Sequence, residues 1–402
     1  MFTLDYIEKF LNLKGVIVKN IVNIADEQHI YLSLPVQEQC CPHCGHLTTH
    51  IKDYREQRIK DLGAFGSTVY LHVRKRRYVC KKCSKTFYEK NTFLARYQRA
   101  TNRFSLKIIE EIQASQPFSQ IAKRFSVSIS TVLRKFSIIN FPKPKLPEIL
   151  SIDEFRGNAG GEKFQCVLTS PLEHKVLDIL PSRNTGKLQQ YFLSFNREER
   201  KQVKTIVMDM SNVFRSIAED LFPCARIVAD KFHVIRLVSW DLDKVRKQEQ
   251  LKMSKARRIY FKRSKKLLLS PRNKLSEEDK AAVNVMLSLS PKLSRAYAIK
   301  EEFYKVFRSK TKFEAKRALG RWLWFVDKAG LEEFKNCKIT FRRWFEAITN
   351  IVKYQVTNGF TEGINNKIKV LKRVSYGIRT FKILRNRILF GSIINVGVEQ
   401  TF

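Results

Sequence analysis

The sequence lacks the long apolar runs of signal peptides and membrane-spanning helices. Charged residues interrupt the first fifteen positions, and the mildly apolar stretch at residues 388–398 is too short to cross a bilayer. Eight cysteines in 402 residues are too few for a disulfide scaffold, and the sequence has no internal repeat or low-complexity tract. These absences, with a hydrophobic content of 44%, predict a globular intracellular protein without a membrane partner.

Acidic residues are also scarce. The chain has 76 lysines and arginines against 38 aspartates and glutamates, which gives a formal net charge of +38 and a pI of about 10.0. A positive field of this size attracts nucleic acid or an anionic membrane surface. DNA is the first candidate; the alternative is a generally basic proteome.

Two Cys-x-x-Cys pairs predict a structural zinc site. Cys41 and Cys44 form the first pair, and Cys80 and Cys83 form the second. Each pair offers two thiolates on a tight turn, and together they complete a tetrahedron without an open position for substrate. The long gap between the pairs predicts a hairpin. The alternatives are four reduced structural cysteines, Cys40 in place of Cys41, or a histidine ligand from among His43, His46 and His72.

Basic residues surround the second cysteine pair. Six lysines and arginines lie in RKRRYVCKKC, and Arg76 and Arg77 are the two that we expect to contact DNA.

Residues 118–136 have the pattern of two short helices joined by a turn. The small residue Ala122 lets the helices approach closely, and either Ser128 or Ser130 can cap the second helix. An ordinary helical hairpin is the alternative to a helix-turn-helix. The side chains that a helix-turn-helix would present to the major groove are Ser128, Ser130, Thr131, Arg134 and Lys135.

Short apolar runs after residue 147 predict a mixed α/β sheet. Asp153 ends the first predicted strand, Asp209 ends the fourth, and Glu362 falls early in a helix-like stretch. This is the order of a ribonuclease-H-like fold, in which the first and fourth strands are neighbours. We therefore expect the three carboxylates to hold two Mg²⁺ (or Mn²⁺) ions for phosphoryl displacement. Taken singly, each of them is more simply a surface carboxylate.

Further candidates flank these acids. His233 follows the fifth predicted strand, where it would position DNA or the scissile phosphate; a core histidine is the alternative. Asn365 and Lys369 share a helical face with Glu362. The DNA-binding candidates on this stretch are Asn365, Lys369, Lys372 and Arg373, of which the three cations could bind phosphates.

A helical, basic segment separates the fifth predicted strand from Glu362. Residues 244–274 carry thirteen lysines and arginines and one acid, Glu249. The segment is either a solvated helical surface or a surface that faces DNA. We interpret residues 236–344 as an all-helical insertion into the catalytic domain.

Together these motifs resemble the DDE transposases of bacterial insertion sequences, and the closest group is the ISL-three family. The resemblance covers nearly the whole chain, and it is most specific in TNGFTEGINNKIKVLKRVSYGIR at residues 357–379. It implies a ribonuclease-H-like catalytic domain with a helical insertion, cleavage at terminal inverted repeats, and joining of the freed 3′-hydroxyl to target DNA. It also implies that Asp153, Asp209 and Glu362 are the catalytic triad, and that Asp230 and His233 form an Asp-x-x-His pattern.

This resemblance sets the remaining expectations. The partners are double-stranded DNA, at terminal inverted repeats and target, and a second copy of the chain or more; no small-molecule substrate is expected. The location is the bacterial cytoplasm, at the nucleoid. The domains that we predict are an N-terminal segment (1–36), a zinc-binding domain (37–100), a helix-turn-helix domain (101–141), a proline-rich linker (142–147), and a catalytic domain (148–235 and 345–402) that contains the insertion (236–344).

Two rival functions remain at this stage. A regulator would bind DNA through the zinc module and the helix-turn-helix without any catalysis. A tyrosine or serine recombinase would instead use a nucleophilic side chain, for which Tyr354 and Tyr376 lie near the C-terminus.

Overall fold

The computed structural model describes residues 11–13, 15–95, 97–113, 116–261 and 264–392. These residues form two units. The first contains the described residues up to Asn140 together with Arg373–Tyr376, and the second contains Phe141–Lys372 and Gly377–Ser392. No helix among the described residues has both the length and the apolar character needed to cross a membrane. The sequence of residues 1–36 favours a short helix followed by strands, and residues 1–10 and 14 of this segment lie outside the described residues.

A five-stranded sheet organises the first unit, in the order β1-β2-β6-β5 with β7 paired to β6. The antiparallel strands β5 and β6 form the hairpin that the spacing of the cysteine pairs predicts. Its turn uses Phe65 and Gly66, both with positive φ. The strands of this unit are β1 (Ile17–Ile24), β2 (Glu27–Ser33), β3 (Gln39–Cys40), β4 (Leu47–Thr48), β5 (Ile51–Ala64), β6 (Ser67–Val79) and β7 (Thr86–Tyr88).

Three helices follow in the first unit: α1 (Asn102–Gln113), α2 (Phe118–Arg124) and α3 (Ile129–Phe136). α1 buries Phe104, Ile108 and Ile112 on one face, as expected for apolar residues spaced by about one helical turn.

A second five-stranded sheet, in the order β10-β9-β8-β11-β12, organises the second unit. β8, β9 and β10 form an antiparallel meander, whereas β11 pairs in parallel with both β8 and β12. The central position of β8 and β11 accounts for the continuous burial of residues 150–153 and 205–208. The strands are β8 (Ile149–Ala159), β9 (Glu162–Ser170), β10 (Lys175–Leu180), β11 (Thr205–Met208) and β12 (Arg226–Ala229).

The prediction that Asp153 ends the first strand is wrong. β8 continues six residues further, because β8 and β9 form a hairpin that closes at Gly160 and Gly161. Both glycines have positive φ, a conformation that side-chain-bearing residues adopt rarely. Asp153 therefore lies in the middle of β8. The residues just before it pair with β11 on one side of the strand and with β9 on the other.

Thirteen helices accompany this sheet within the described residues. Leu188 and Phe192 from the helix Thr185–Leu193, and Phe214 and Ile217 from the helix Asn212–Leu221, belong to the main core of the unit. Three 3₁₀ turns at Ile259–Phe261, Arg272–Lys274 and Glu332–Phe334 join some of the later helices. The helices are α4 (Thr185–Leu193), α5 (Arg197–Gln202), α6 (Asn212–Leu221), α7 (Lys231–Lys252), α8 (Lys255–Arg258), α9 (Ser264–Leu269), α10 (Glu277–Ser288), α11 (Pro291–Arg308), α12 (Lys312–Ala329), α13 (Lys335–Arg343), α14 (Phe345–Tyr354), α15 (Gly359–Val374) and α16 (Phe381–Ser392).

Candidate active site and DNA-binding modules

Three acidic residues that are far apart in the sequence line one cleft of about 420 Å³ in the second unit: Asp153, Asp209 and Glu362. The parallel pairing of β8 and β11 sets Ile152 opposite Met208, so the residues that follow them, Asp153 and Asp209, occupy neighbouring positions. Glu362 enters from the first turn of α15. The cleft is thus built where two parallel strands and the start of a helix meet.

Burial makes the two aspartates unusually weak acids. It raises the pKa of Asp153 to about 6, and the charges of Asp209 and Asp230 add to this increase. Burial also raises the pKa of Asp209 to about 6, with further contributions from Glu154 and Asp230. Charged carboxylates are therefore costly in this cleft unless a cation offsets them.

α15 is fixed to the sheet by a buried polar network. The Asn365 amide donates to Oδ2 of Asp153 over 2.8 Å, which sets the orientation of that carboxylate. The Thr361 hydroxyl lies 3.1 Å from the hydroxyl of Ser151 on β8 and 2.7 Å from that of Thr169 on β9. This network holds the first turn of the helix, and with it Glu362, at the cleft.

His233 and Asp230 form a coupled pair at the edge of the cleft. Asp230 follows β12 and caps α7 by accepting a hydrogen bond from the backbone of Phe232. Its other oxygen lies 2.6 Å from Nδ1 of His233. Burial by itself lowers the pKa of His233, but the hydrogen bond and charge of Asp230 outweigh that effect and raise it. The pair leaves Nε2 of His233 as the ring nitrogen free to contact a ligand.

The donor set suits a divalent cation. Two buried oxygens at this cleft, Oδ1 of Asp209 and Oδ1 of Asn365, have no hydrogen-bond partner among the described residues. Hard cations such as Mg²⁺ prefer carboxylate and amide oxygens. The oxygens of the three carboxylates are not all within 4.8 Å of one another. Among the described residues, the only group of three or more possible metal ligands within that distance is the set of thiols described next.

Four thiols converge in the first unit: Cys41, Cys44, Cys80 and Cys83. The Sγ atoms of Cys41 and Cys83 lie 3.6 Å apart, and those of Cys44 and Cys80 lie 3.5 Å apart. A tetrahedral zinc ion with Zn–S bonds of about 2.3 Å places its sulfurs roughly 3.8 Å apart, so the spacing fits zinc. The four cysteines that converge are those that the sequence predicts as ligands, and neither Cys40 nor a histidine belongs to this group.

α2 and α3 form a tight helical pair. Ser128 caps α3 by accepting a hydrogen bond from the backbone of Thr131, as one of the two predicted caps. Ser126 in the turn has a positive φ of 48°. Ile121 and Ala122 on α2 and Val132 on α3 are buried. The pair packs with α1, and three helices in this arrangement are typical of a helix-turn-helix domain.

Comparison with known families decides the identity of the chain. Residues 150–388 match the model of a DDE-type transposase, described as the transposase domain of the ISL3 group. The chain belongs to the ISL3 (ISL-three) family of transposases. Residues 37–83 of this transposase match the zinc finger of the IS204/IS1001/IS1096/IS1165 transposases, and residues 89–137 match the helix-turn-helix domain of the ISL3 family. The family predicted from the motifs is therefore confirmed.

Similar curated proteins are also transposases. One is the transposase for insertion sequence element IS1001 of Bordetella parapertussis, which is 26% identical over 358 residues, or 87% of this chain and 88% of the relative. Another is the transposase for insertion sequence element IS1557 of Mycobacterium tuberculosis, 24% identical over 239 residues, or 53% of this chain and 54% of the relative.

The ISL3 transposase is an enzyme that binds and cleaves DNA, with a zinc ribbon and a helix-turn-helix before its DDE domain. The transposase domain spans more than half of the chain, so both rival functions, the regulator without catalysis and the tyrosine or serine recombinase, are wrong. A DDE domain implies a divalent metal ion, and the zinc-ribbon match together with the four thiols indicates structural zinc.

Two of the predicted DNA contacts of the transposase are buried. Lys135 is 7% exposed, and its ammonium donates to the Gln98 side chain over 2.8 Å. Arg76 is also 7% exposed, and it pairs with Glu89 and donates to the backbone of Leu34. The expectation that these two side chains face DNA is wrong, because both of them donate to acceptors within their own unit. The predicted DNA contact of Asn365 is wrong as well, because its amide donates to Asp153.

The other predicted DNA contacts remain available or partly so. Arg134 and Ser130 are exposed on α3, and Thr131 is half-buried. Arg77 pairs with Asp53 and keeps a third of its side chain exposed. On α15, Lys369 and Arg373 are exposed, while Lys372 donates to the backbone of Arg156. Their roles stay predictions.

Sequence reasoning missed Phe232 and Arg236, which also line the cleft. Both lie on α7, and Arg236 is one helical turn after Phe232. A helix that begins directly after β12, with Asp230 as its cap, places both side chains on one face, because they are four residues apart. This start of the helix is the signal that could have identified them.

Proposed function

We propose that Asp153, Asp209 and Glu362 are the catalytic triad of this transposase, in a ribonuclease-H-like domain. The observation that carries the assignment is their meeting in one cleft that contains a buried, unpartnered carboxylate oxygen on Asp209. The sheet order β10-β9-β8-β11-β12, with β8 next to β11, supports the assignment of this fold.

The transposase uses this site to cleave DNA at the terminal inverted repeats of its insertion sequence and to join the freed 3′-hydroxyl to target DNA. Asp153, Asp209 and Glu362 hold Mg²⁺ or Mn²⁺. Once bound, the divalent ions neutralise the charge of the scissile phosphate and make the attacking hydroxyl more reactive. Asn365 keeps the Asp153 carboxylate in position through its 2.8 Å hydrogen bond.

Basic groups at the cleft bind the substrate. The Nε2–H group of His233 donates a hydrogen bond to a non-bridging oxygen of the scissile phosphate, because Asp230 holds the ring through Nδ1 and favours its charged form. Lys369, Lys372 and Arg373 neutralise the neighbouring phosphates along α15. Because the pKa values of Asp153 and Asp209 are raised to about 6, binding of a divalent cation near neutral pH displaces protons from these two carboxyl groups.

The remaining modules recognise the ends of the element. Ser128, Ser130, Thr131 and Arg134 on α3 contact the major groove, and Arg77 contacts the backbone beside the zinc site. We divide the chain at residues 37, 101, 142 and 148, with residues 236–344 inserted into the catalytic domain. Joining two element ends requires at least a homodimer, and the enzyme acts at the nucleoid.

The test is magnesium-dependent cleavage of the DNA that flanks the gene. We expect Glu362→Gln to reduce the cleavage rate by at least about 100-fold, as loss of one group that stabilises the transition state does, while binding of the same DNA is kept. The matched control is Glu332→Gln, which changes an exposed glutamate and should cleave normally. Cleavage by Glu362→Gln at the wild-type rate would remove this residue from the triad.

A further inference from the structure

An aromatic and cationic ladder runs along α7 from the edge of the cleft. Phe232, Arg236 and Trp240 are spaced by four residues each, so they lie on one face of the helix. The Arg236 guanidinium carbon lies 5.4 Å from the ring centre of Phe232 and 4.8 Å from that of Trp240. Phe232 is 46% exposed and Trp240 is 53% exposed. Two large apolar rings thus face solvent on either side of a cation.

Arg236 is held without a charge partner. No described carboxylate forms an ion pair with it, and its Nε is buried without a hydrogen-bond partner among the described residues. The guanidinium has five donors and stays charged at all relevant pH values. An unpaired cation of this kind, fixed between two aromatic rings, favours an anionic ligand that also has flat aromatic faces.

The ladder joins the catalytic cleft to a groove. Phe232 and Arg236 line both the cleft and a second cavity of about 400 Å³, which Trp240, Lys247 and Lys265 also line. From Phe232 to Trp240 the helix rises about 12 Å, at about 1.5 Å per residue. The groove continues past Lys265 into a third cavity beside Lys266. The groove also contains Asp243, which pairs with Lys247, so Arg236, Lys265 and Lys266 are the cations that it offers to an anionic ligand.

We propose that this groove binds unpaired nucleotides of the DNA strand next to the scissile phosphate. Bases stack on Phe232 and Trp240, and Arg236 binds the phosphate between them. Bases in a duplex hide their faces against one another, so only nucleotides that have left the duplex can stack on these rings. The inference rests on the proposed function, because it takes the acidic cleft as the place where the phosphate reacts.

The other tryptophans do not offer this surface. Trp322 and Trp344 are buried, and the Trp322 indole donates to the backbone of Ile299. They belong to the core, as the sequence pattern favours. Trp324 is 59% exposed but does not line the cleft or the groove, so it serves as a matched control.

The experiment measures the affinity of the full-length protein for a fluorescein-labelled oligothymidylate and for a duplex of the same length, by anisotropy. Elevated salt suppresses the general attraction of a basic chain for phosphates, whereas stacking persists. We expect Trp240→Ala to weaken binding of the oligothymidylate about tenfold, as loss of one stacked base does. Binding of the duplex should stay unchanged, and Trp240→Phe should restore most of the affinity.

Two controls separate this inference from the catalytic assignment. Trp324→Ala should bind both DNAs like wild type, and Glu362→Gln should keep its affinity for the oligothymidylate even where cleavage is lost. An oligothymidylate that contains 5-iododeoxyuridine should cross-link on irradiation within residues 231–247. Equal weakening of both DNAs by Trp240→Ala, no weakening, or the same loss in Trp324→Ala would overturn the proposal.

Discussion

The surroundings of Asp209 lower the stability of the metal-free protein and also suit its carboxylate to hold a cation. One oxygen of its half-buried carboxylate is buried without a partner among the described residues, and desolvation raises its pKa from 3.8 to about 6. A charged group in such a place destabilises the folded chain until a cation binds. The same feature that suits the residue to hold a metal ion makes the metal-free protein less stable.

We predict that Asp209→Asn stabilises the metal-free protein at pH 7, by about 1–3 kcal/mol, because the amide removes a buried charge. The folded-state pKa lies above the unfolded value, so the charge costs stability above about pH 6, and the cost disappears as the pH falls towards 4. The advantage of the variant should therefore shrink over this range. Denaturant unfolding in EDTA at several pH values measures it.

Asp220→Asn is the control for this prediction, because Asp220 is an exposed acid of the same unit. It should change the free energy of unfolding by less than about 0.5 kcal/mol. If Asp209→Asn is equally neutral or destabilising at pH 7, the buried carboxylate is not under electrostatic strain. If added magnesium stabilises the variant as much as wild type, Asp209 does not hold the ion.

At the scale of single residues, the sequence pattern predicts which acids share a cleft better than it predicts which cations are exposed. Asp153, Asp209 and Glu362 were found from their places in the predicted elements. Arg76 is predicted to contact DNA from the basic residues around the second cysteine pair, and Lys135 from its place in the helix-turn-helix pattern. Arg76 lies two residues before the buried Tyr78 on β6 and therefore shares its face. Only the tertiary structure supplied Glu89 and Gln98, the acceptors that make burial of these two cations possible.

The helix α3 separates two adjacent cations. Arg134 is exposed, whereas Lys135 is buried and donates to Gln98. Successive residues on a helix point in directions about 100° apart, so neighbours in the sequence commonly have different surroundings. The two side chains should therefore contribute differently to DNA binding and to stability.

We predict that Arg134→Ala makes DNA binding less sensitive to salt. In a plot of log affinity against log salt concentration, the slope should fall by about one, as expected for the loss of one phosphate contact. Lys135→Ala should leave this slope unchanged and instead lower the free energy of unfolding by about 1 kcal/mol or more, because the buried Gln98 contact is lost. Binding titrations at several salt concentrations and denaturant unfolding distinguish the two. An equal loss of slope in both variants would place Lys135 against DNA.

At the scale of elements, strand existence was easier to predict than strand extent. The short apolar runs after residue 147 predict a sheet there, and the structure has five strands in this region. The extension of β8 past Asp153 was not expected. The residues of β8 that follow Asp153 form a strand because they pair with β9. This pairing is a contact between separate segments, and no local pattern specifies it.

For the whole molecule, the two units differ in what stabilises them. The first unit has a small core and the four-thiol site, whereas the second has a large core built on its sheet and helices. Small domains gain much of their stability from a structural metal ion. The two units should therefore respond to different perturbations.

We predict two thermal unfolding transitions. Cys80→Ser or zinc chelation should lower or abolish the transition of the first unit and leave the other in place, and Asp209→Asn should raise only the transition of the second unit. Calorimetry together with zinc analysis measures this, with a zinc content of about one per chain. Cys40→Ser is the control and should keep both zinc and transitions. A single transition that moves with either variant would contradict the prediction.

The sequence by itself determined the order of the three modules, and it predicted the four thiols that converge and the three acidic residues that line one cleft. These follow from local spacing, because metal ligands, caps and apolar periodicity act within a few residues of the chain. Tertiary structure alone decided which cations are buried, how far β8 extends, and that Phe232, Arg236 and Trp240 form a surface beside the acids. Each of these depends on contacts between residues far apart in the sequence, and such contacts exist only once the chain has folded.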